Sequence, residues 1–398
     1  MVGTTIGGVG ILPAGALGMS LFYHLTHRLQ RLDDQVFFLE RTGSASAKAL
    51  REQGEFCVAD ETGVHHLPNS GILKPGLLSC FDAGWLPEVL LLCPNPDQLT
   101  SVIGNLVNLL ERIHQAGQLA ADALPFPTVV LCSNGIYFQR LRLWFLEKLE
   151  ESVLFGRLPD LWPELMPAIM GRLLRGVTLQ TGIREGSGGA TVYRPGPRGI
   201  TRIAGGDPII RRRCCQLLAK RGGWFEQAVH DSATHLEFDK AMVNLSTNLL
   251  GQLYAIDDQG RFTPMIIRDM IYGQRAEAIR ELCGWIFRIG QAVKAYGPTD
   301  DFEERLRECM EILRLHEEHI PSSLQWIGLR YAAGTLEPKL APTEAWLLGP
   351  LIRYARGANL EDAARYLEDL KHRLVERLRS AVACRKDRAN PANDPLTP

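Results

Sequence analysis

Apolar residues fall into two regimes along this chain. Up to about residue 230 they come as short runs bounded by turn residues; beyond it they recur at helical spacing. Residues 9–12 form an apolar run that ends in Pro13-Ala-Gly15-Ala16-Leu-Gly18 and passes into a helical pattern through Leu21, Leu25 and Leu29. Residues 35–39, 89–93 and 128–132 are further strand-length runs, the last two closed by Pro94-Asn95-Pro96 and Asn134-Gly135. Strands alternating with helices predict a parallel sheet. Residues 136–174 are amphipathic with three prolines and predict a helical insertion or extended crossover, and the glycine-rich stretch 176–206 predicts two antiparallel strands closing the sheet edge. The expected organisation is a Rossmann-like α/β domain over 1–228, an all-α domain over 229–385, and a polar, proline-rich, disordered tail over 386–398.

At 398 residues the chain has room for two domains and a large core. Its 44 basic against 45 acidic residues leave no net field to hold nucleic acid, and no partner of that kind is expected. No run of eighteen or more uninterrupted apolar residues occurs, so no membrane span is expected. The apolar N-terminus lacks a basic leader and is crowded with glycine, which reads as strand, turn and helix rather than as a signal peptide. Nine cysteines without metal-type spacing suit core positions in a reducing cytoplasm. His316-Glu-Glu-His319 has no third ligand in its sequence neighbourhood, so no metal is expected, and it reads as a solvated helical face. Arg211 to Arg213 reads as an exposed basic turn.

Two motifs carry chemistry. The first is the turn at Gly15, Ala16 and Gly18, where a close backbone and the free N–H groups of a helix start suit a pyrophosphate, although Pro13 stands at the first glycine position. About 25 residues on, Glu40 would bond the ribose 2′-hydroxyl of NAD, whereas Arg41 would clamp the 2′-phosphate of NADP. The second motif is Lys240-x3-Asn244-x3-Asn248. Four residues advance a helix by slightly more than one turn, so these three side chains share a face, while Leu236, Phe238, Met242, Leu245 and Leu249 cover the others. Burying an ammonium costs several kcal/mol (roughly 3–5 if unpaired), which gives the lysine a reason to serve chemistry. Thr234-His-Leu-Glu237 predicts a capping box at this helix start.

The order of the Rossmann turn, Leu39-Glu40-Arg41, Cys132-Ser133-Asn134-Gly135, Leu174-Arg175-Gly176-Val177-Thr178 and the Lys240 stripe resembles that of the ketopantoate reductases. Pro321-Ser322-Ser323-Leu324-Gln325 and Thr343-Glu344 followed by Gly349 extend the resemblance, which runs from about Val9 to Ala358. It implies a helical second domain like the C-terminal domain of 6-phosphogluconate dehydrogenase, and NADPH-dependent reduction of 2-dehydropantoate to pantoate between the two domains. The resemblance makes Lys240 the general acid, puts Asn244 and Asn248 on a substrate hydroxyl and Ser322 on the carboxylate, and sets Asn134 where nicotinamide and substrate meet. It gives a further substrate hydroxyl to Glu344, with Glu337 as the competing acid. NADP is the expected cofactor, NAD being admitted by Glu40, the expected partner is a small 2-oxo acid, and a homodimer is admitted as the assembly. Three departures stand out: Pro13, Cys93-Pro94-Asn95 in place of the family's Val-Lys, and Trp326 where the family carries aspartate. They leave two other readings open, a reductase of another 2-oxo acid or an imine, and a dinucleotide-binding homologue without catalysis.

Overall fold

The computed structural model describes residues 3–40, 50–152, 162–186 and 191–389. By their contacts they form two units, Met1–Ser133 with Phe138–Ala233, and Asn134–Tyr137 with Thr234–Pro398.

In the first unit the strands run in chain order β1 (Thr5–Ile6), β2 (Val9–Leu12), β3 (Val36–Leu39), β4 (Glu55–Asp60), β5 (Gly63–Pro68), β6 (Leu73–Lys74), β7 (Trp85–Leu86), β8 (Val89–Leu92), β9 (Thr128–Leu131), β10 (Leu173–Thr178), β11 (Gly182–Glu185), β12 (Val192–Pro195), β13 (Thr201–Ala204) and β14 (Phe225–Gln227). Eight of them make the main sheet, in the order β14-β13-β10-β9-β8-β2-β3-β6. All pairings from β6 to β10 are parallel, and β13 turns antiparallel against β10. The central strands β2, β3, β8 and β9 are buried almost throughout, which is why they read as unbroken apolar runs rather than alternating ones. The chain lays β3 and β6 on one side of β2 and then crosses to β8 on the other, so the carboxyl ends of β2 and β8 border the switch point where doubly wound sheets take ligands. Residues 138–151 and 162–170 are helices within the connection from β9 to β10, so the stretch read as an insertion or crossover is the crossover.

A second sheet, β11-β12-β4-β5, was not expected from the sequence. It covers the helix Ala16–Leu25, whose residues from Gly18 onward are all buried. Hydrogen bonds tie the helix and the turn before it to this sheet and its flanking residues: Ser20 Oγ donates to the Thr181 carbonyl at 2.6 Å, and Tyr23 donates to Asp60 at 2.7 Å. The His24 ring meets the Gly196 carbonyl at 3.0 Å, and Tyr193 donates to the Ala14 carbonyl at 3.0 Å. The 176–206 stretch thus does two things, since β10 and β13 pair antiparallel as expected while the β11–β12 hairpin between them leaves for the second sheet. The helix also stops at Leu25, short of Leu29, because His27, Arg28 and Leu29 take left-handed backbone angles.

The second unit is helical apart from one isolated bridge, Ile256 to Phe262, among its described residues. Its core gathers Phe238, Met242, Leu245 and Leu249 with Ile286, Leu324, Leu348 and Leu367 from four other helices. The last helix, Glu361–Ala389, continues past Lys386, and 390–398 lie outside the described residues. No described helix is long and apolar enough to cross a membrane.

Candidate active site

At the glycine turn the backbone does the work. Gly15 N–H donates to the Pro13 carbonyl at 2.9 Å, so the turn closes with proline at the first position. A side chain at Gly18 would stand 2.3 Å from that same carbonyl, and glycine there is a packing requirement. Gly15 differs: its φ is −95° and a Cβ there would meet nothing within 4 Å. No side chain caps the helix that follows, and its opening N–H groups, Ala16 among them, have no partner within the helix by construction. Open room over Gly15 beside uncapped donors at a sheet switch point suits a pyrophosphate. Glu40, at the end of β3, is held by Arg51 at 3.3 Å, and Arg41 lies outside the described residues.

The Lys240 helix spans Ala233–Asn244, so Thr234 lies inside its first turn rather than capping it. Asp239 on this helix accepts from Tyr296 at 2.9 Å and meets His235 at 3.3 Å and Arg305 at 3.8 Å. Lys240 is half-buried. Its charge reaches His316, whose pKa is lowered by burial first, then by His319 and by Lys240. Asn244 and Asn248 are both buried, as the stripe predicts, but the helix between them changes form. Leu245–Leu249 is a π turn, with bonds to the fifth residue on, and Thr247 Oγ1 donates to the Val243 carbonyl at 3.0 Å and that of Asn244 at 3.4 Å. A helical course resumes at Leu250–Ala255.

Gly251 lets this segment close on the helix Ser322–Ala333, since a Cβ there would press on Leu324 at 2.9 Å. The approach brings Asn248 Oδ1 to 3.3 Å from the Ser323 N–H, which donates to it. Ser323 Oγ in turn donates to Glu344 Oε1 at 2.5 Å, and Gln252 donates to the same oxygen at 3.1 Å. Glu344 is fully buried, and its Oε2 has no hydrogen-bond partner. Burial pushes this carboxyl above the ordinary carboxylate range, with Ser323 and Gln252 pulling it back. A fully buried carboxyl with one oxygen bonded twice and the other enclosed without a hydrogen-bond partner favours its protonated form.

Asn248 and Glu344 are thus brought into one hydrogen-bonded group with Ser323 and Gln252, which the sequence reading passed over. Gln252 was detectable, because it continues the Lys240, Asn244, Asn248 spacing by four more residues. Ser323 follows Ser322, which is itself exposed at the first position of its helix. Glu337 is exposed and paired with Lys339, apart from this group. Asn134 is half-buried, and its neighbours join the helical unit through Ile136 N–H to the Trp346 carbonyl at 3.1 Å and Tyr137 N–H to Glu237 at 3.2 Å. Two other expectations need correcting. His316 to His319 form a turn after the helix Phe302–Leu315, not a helical face, and Glu317 and Glu318 pair with Arg268. Arg211 to Arg213 lie within the helix Pro208–Lys220, where Arg211 is buried against the Gly205 carbonyl at 2.8 Å and Arg213 pairs with Glu88 at 2.8 Å.

Among solved structures, a D-mandelate dehydrogenase bound to NADH and anilino(oxo)acetate superposes with a TM-score of 0.64 at 15% identity, covering 94% of this chain and 99% of that one. A putative 2-dehydropantoate 2-reductase from Staphylococcus aureus gives 0.56 at 15% identity, covering 92% and 99%. The fold is that of the ketopantoate reductases. A ketopantoate reductase from Ralstonia eutropha, at 17% identity and a TM-score of 0.54, covers 94% of this chain and 99% of its own. No family model and no curated protein matches the sequence.

Proposed function

We propose that this chain is a nicotinamide-dinucleotide-dependent reductase of a 2-oxo acid, with 2-dehydropantoate as substrate and NADPH as reductant. The observation that carries the reading is the buried row Asn244, Asn248 and Gln252 leading from the half-buried Lys240 to the enclosed carboxyl of Glu344, on which Gln252 and Ser323 donate. The strand order around β2 and the open Gly15 turn support a dinucleotide, with Gly15, Ala16 and Gly18 approaching its pyrophosphate and Asn134 and Arg41 as further contacts. Glu40, neutralised by Arg51, opposes a 2′-phosphate less than a bare carboxylate would.

Bound reduced nicotinamide would supply the hydride. Lys240 would hold the carbonyl oxygen, stabilise negative charge as it develops there and give that oxygen a proton. Asn248, its Oδ1 occupied by Ser323, has its amide hydrogens to offer a substrate hydroxyl, and Asn244 sits one turn before it. Glu344 would accept from a second hydroxyl once its enclosed Oε2 is uncovered. Ser322 and the start of its helix would receive the substrate carboxylate.

Lys240→Ala should lower turnover of 2-dehydropantoate with NADPH by about 10²–10⁴-fold, the range for losing a general acid. Glu337→Gln should leave it unchanged. Absorbance of the reduced nicotinamide checks both, and undiminished turnover in the lysine variant would remove the mechanism. Trp326, half-buried with the Arg330 guanidinium 4.4 Å from its ring, supports a second reading in which the oxo acid carries a bulkier apolar group. Comparing phenylglyoxylate with 2-dehydropantoate separates the two.

A further inference from the structure

On the second sheet, β4 and β5 pair antiparallel with Cys57 directly opposite His66. Successive strand residues face opposite sides, so Glu55 and Cys57 share the outer face of β4 while Phe56 and Val58 are buried beneath it. The cross-strand partner of Cys57 adds His66 to that same outer face. The three donor atoms stand close together: Cys57 Sγ is 3.6 Å from His66 Nδ1 and 3.6 Å from Glu55 Oε1, and His66 Nδ1 is 2.8 Å from Glu55 Oε1. Among the described residues this is the one group of three or more such side chains with all donors mutually within 4.8 Å.

Those separations match one face of a coordination tetrahedron. With bonds of about 2.3 Å to sulfur and about 2.0 Å to nitrogen or oxygen, tetrahedral geometry puts sulfur about 3.5 Å from each lighter donor, and the lighter donors about 3.3 Å from each other. Only the His66–Glu55 pair must open, by a few tenths of an ångström, as its hydrogen bond gives way to two metal bonds. Thiolate with imidazole selects zinc-class ions over magnesium or calcium.

We propose that Glu55, Cys57 and His66 form a surface site for a zinc-class divalent cation, bound through one carboxylate oxygen, Sγ and Nδ1, with solvent at the fourth position. The Glu55 and His66 side chains are 40% and 59% exposed, which leaves the outward position accessible to water or to an external ligand. Binding breaks the Cys57 S–H bond and forms the sulfur–metal bond, and the Nδ1 proton that His66 shares with Glu55 also leaves, the ring binding as its Nε2–H tautomer; the displaced protons go to solvent, with no change of oxidation state. Burial and the Glu55 carboxylate raise the thiol pKa, so the free cysteine holds its proton until the cation competes for it, and the Gln53 side chain hydrogen-bonds the sulfur.

The test uses the full chain freed of metal with a chelator and titrated with Zn²⁺ by calorimetry and with Co²⁺ by absorption spectroscopy. One equivalent of zinc should bind per chain, and cobalt should show a thiolate charge-transfer band with the strong visible bands of four-coordination. Cys57→Ser and His66→Gln should lose both signals while melting as the parent does, since all three side chains lie on an outer strand face. Cys384→Ser, altering the other cysteine that is not buried, should keep them. Absence of stoichiometric binding, cobalt uptake without the thiolate band, or a band surviving Cys57→Ser would each overturn the proposal.

Discussion

The glycine turn and the Glu344 group, the two parts of the proposed site, are built in different ways. At the turn the recognition elements are main-chain N–H groups, and the sequence contributes by leaving space over Gly15 and by permitting contact at Gly18. In the helical unit they are side chains, and their placement depends on neighbouring helices closing on one another at Gly251. Main-chain recognition tolerates no added atom and does not titrate, whereas the Glu344 group depends on protonation and on every partner it has.

The largest effect that would sharpen this contrast is expected from Gly18→Ala. Its methyl would collide with the Pro13 carbonyl, so the variant should lose about 1–3 kcal/mol of stability, as overpacking does, and lose NADPH binding with it. Denaturant unfolding and nucleotide fluorescence measure the two. Gly15→Ala should separate them: with open space and an ordinary φ, stability stays within about 0.5 kcal/mol of the parent. NADPH affinity should still fall about tenfold, as about 1.4 kcal/mol of lost contact gives. Equal affinity in Gly15→Ala would mean that no phosphate approaches there.

The smallest effect concerns Glu344. Its carboxyl pKa is higher folded than unfolded, so the folded chain favours the protonated acid. That contribution is fully present below the unfolded carboxylate's pKa and fades as pH rises through the folded value. Glu344→Gln removes the titration while keeping the shape, so its Tm should exceed the parent's at neutral pH by about 2–4 °C, the equivalent of about 1 kcal/mol, and the gap should shrink in acid. A gap independent of pH would mean that Glu344 does not ionise in the parent.

The parts of the fold that were legible in the sequence are those where burial imposes a simple pattern. β2, β3, β8 and β9 are buried on both faces and announce themselves as apolar runs. β4 and β5 have one polar face carrying Glu55, Cys57 and His66, and nothing about that stretch exceeded the background of a surface loop. Register created what spacing could not: Cys57 and His66 are nine positions apart and become neighbours only when the hairpin pairs them. Lys240, Asn244 and Asn248 were legible through helical period, as Gln252 could have been. The π turn was not, because Leu-Ser-Thr-Asn-Leu has no residue that forbids a regular helix.

That turn has a consequence for how this helix can change. A regular helix advances about 100° per residue, so one extra residue looped into the bonding pattern resets the phase of everything downstream. Lys240 and Gln252, twelve residues apart, therefore stand in phase as if they were eleven apart. Deleting a single residue within Leu245–Leu249 would let the bonds revert to the ordinary pattern and leave Gln252 facing as it does now, whereas the same deletion in the regular helix before it would swing Gln252 by about a quarter-turn away from the carboxyl it now serves.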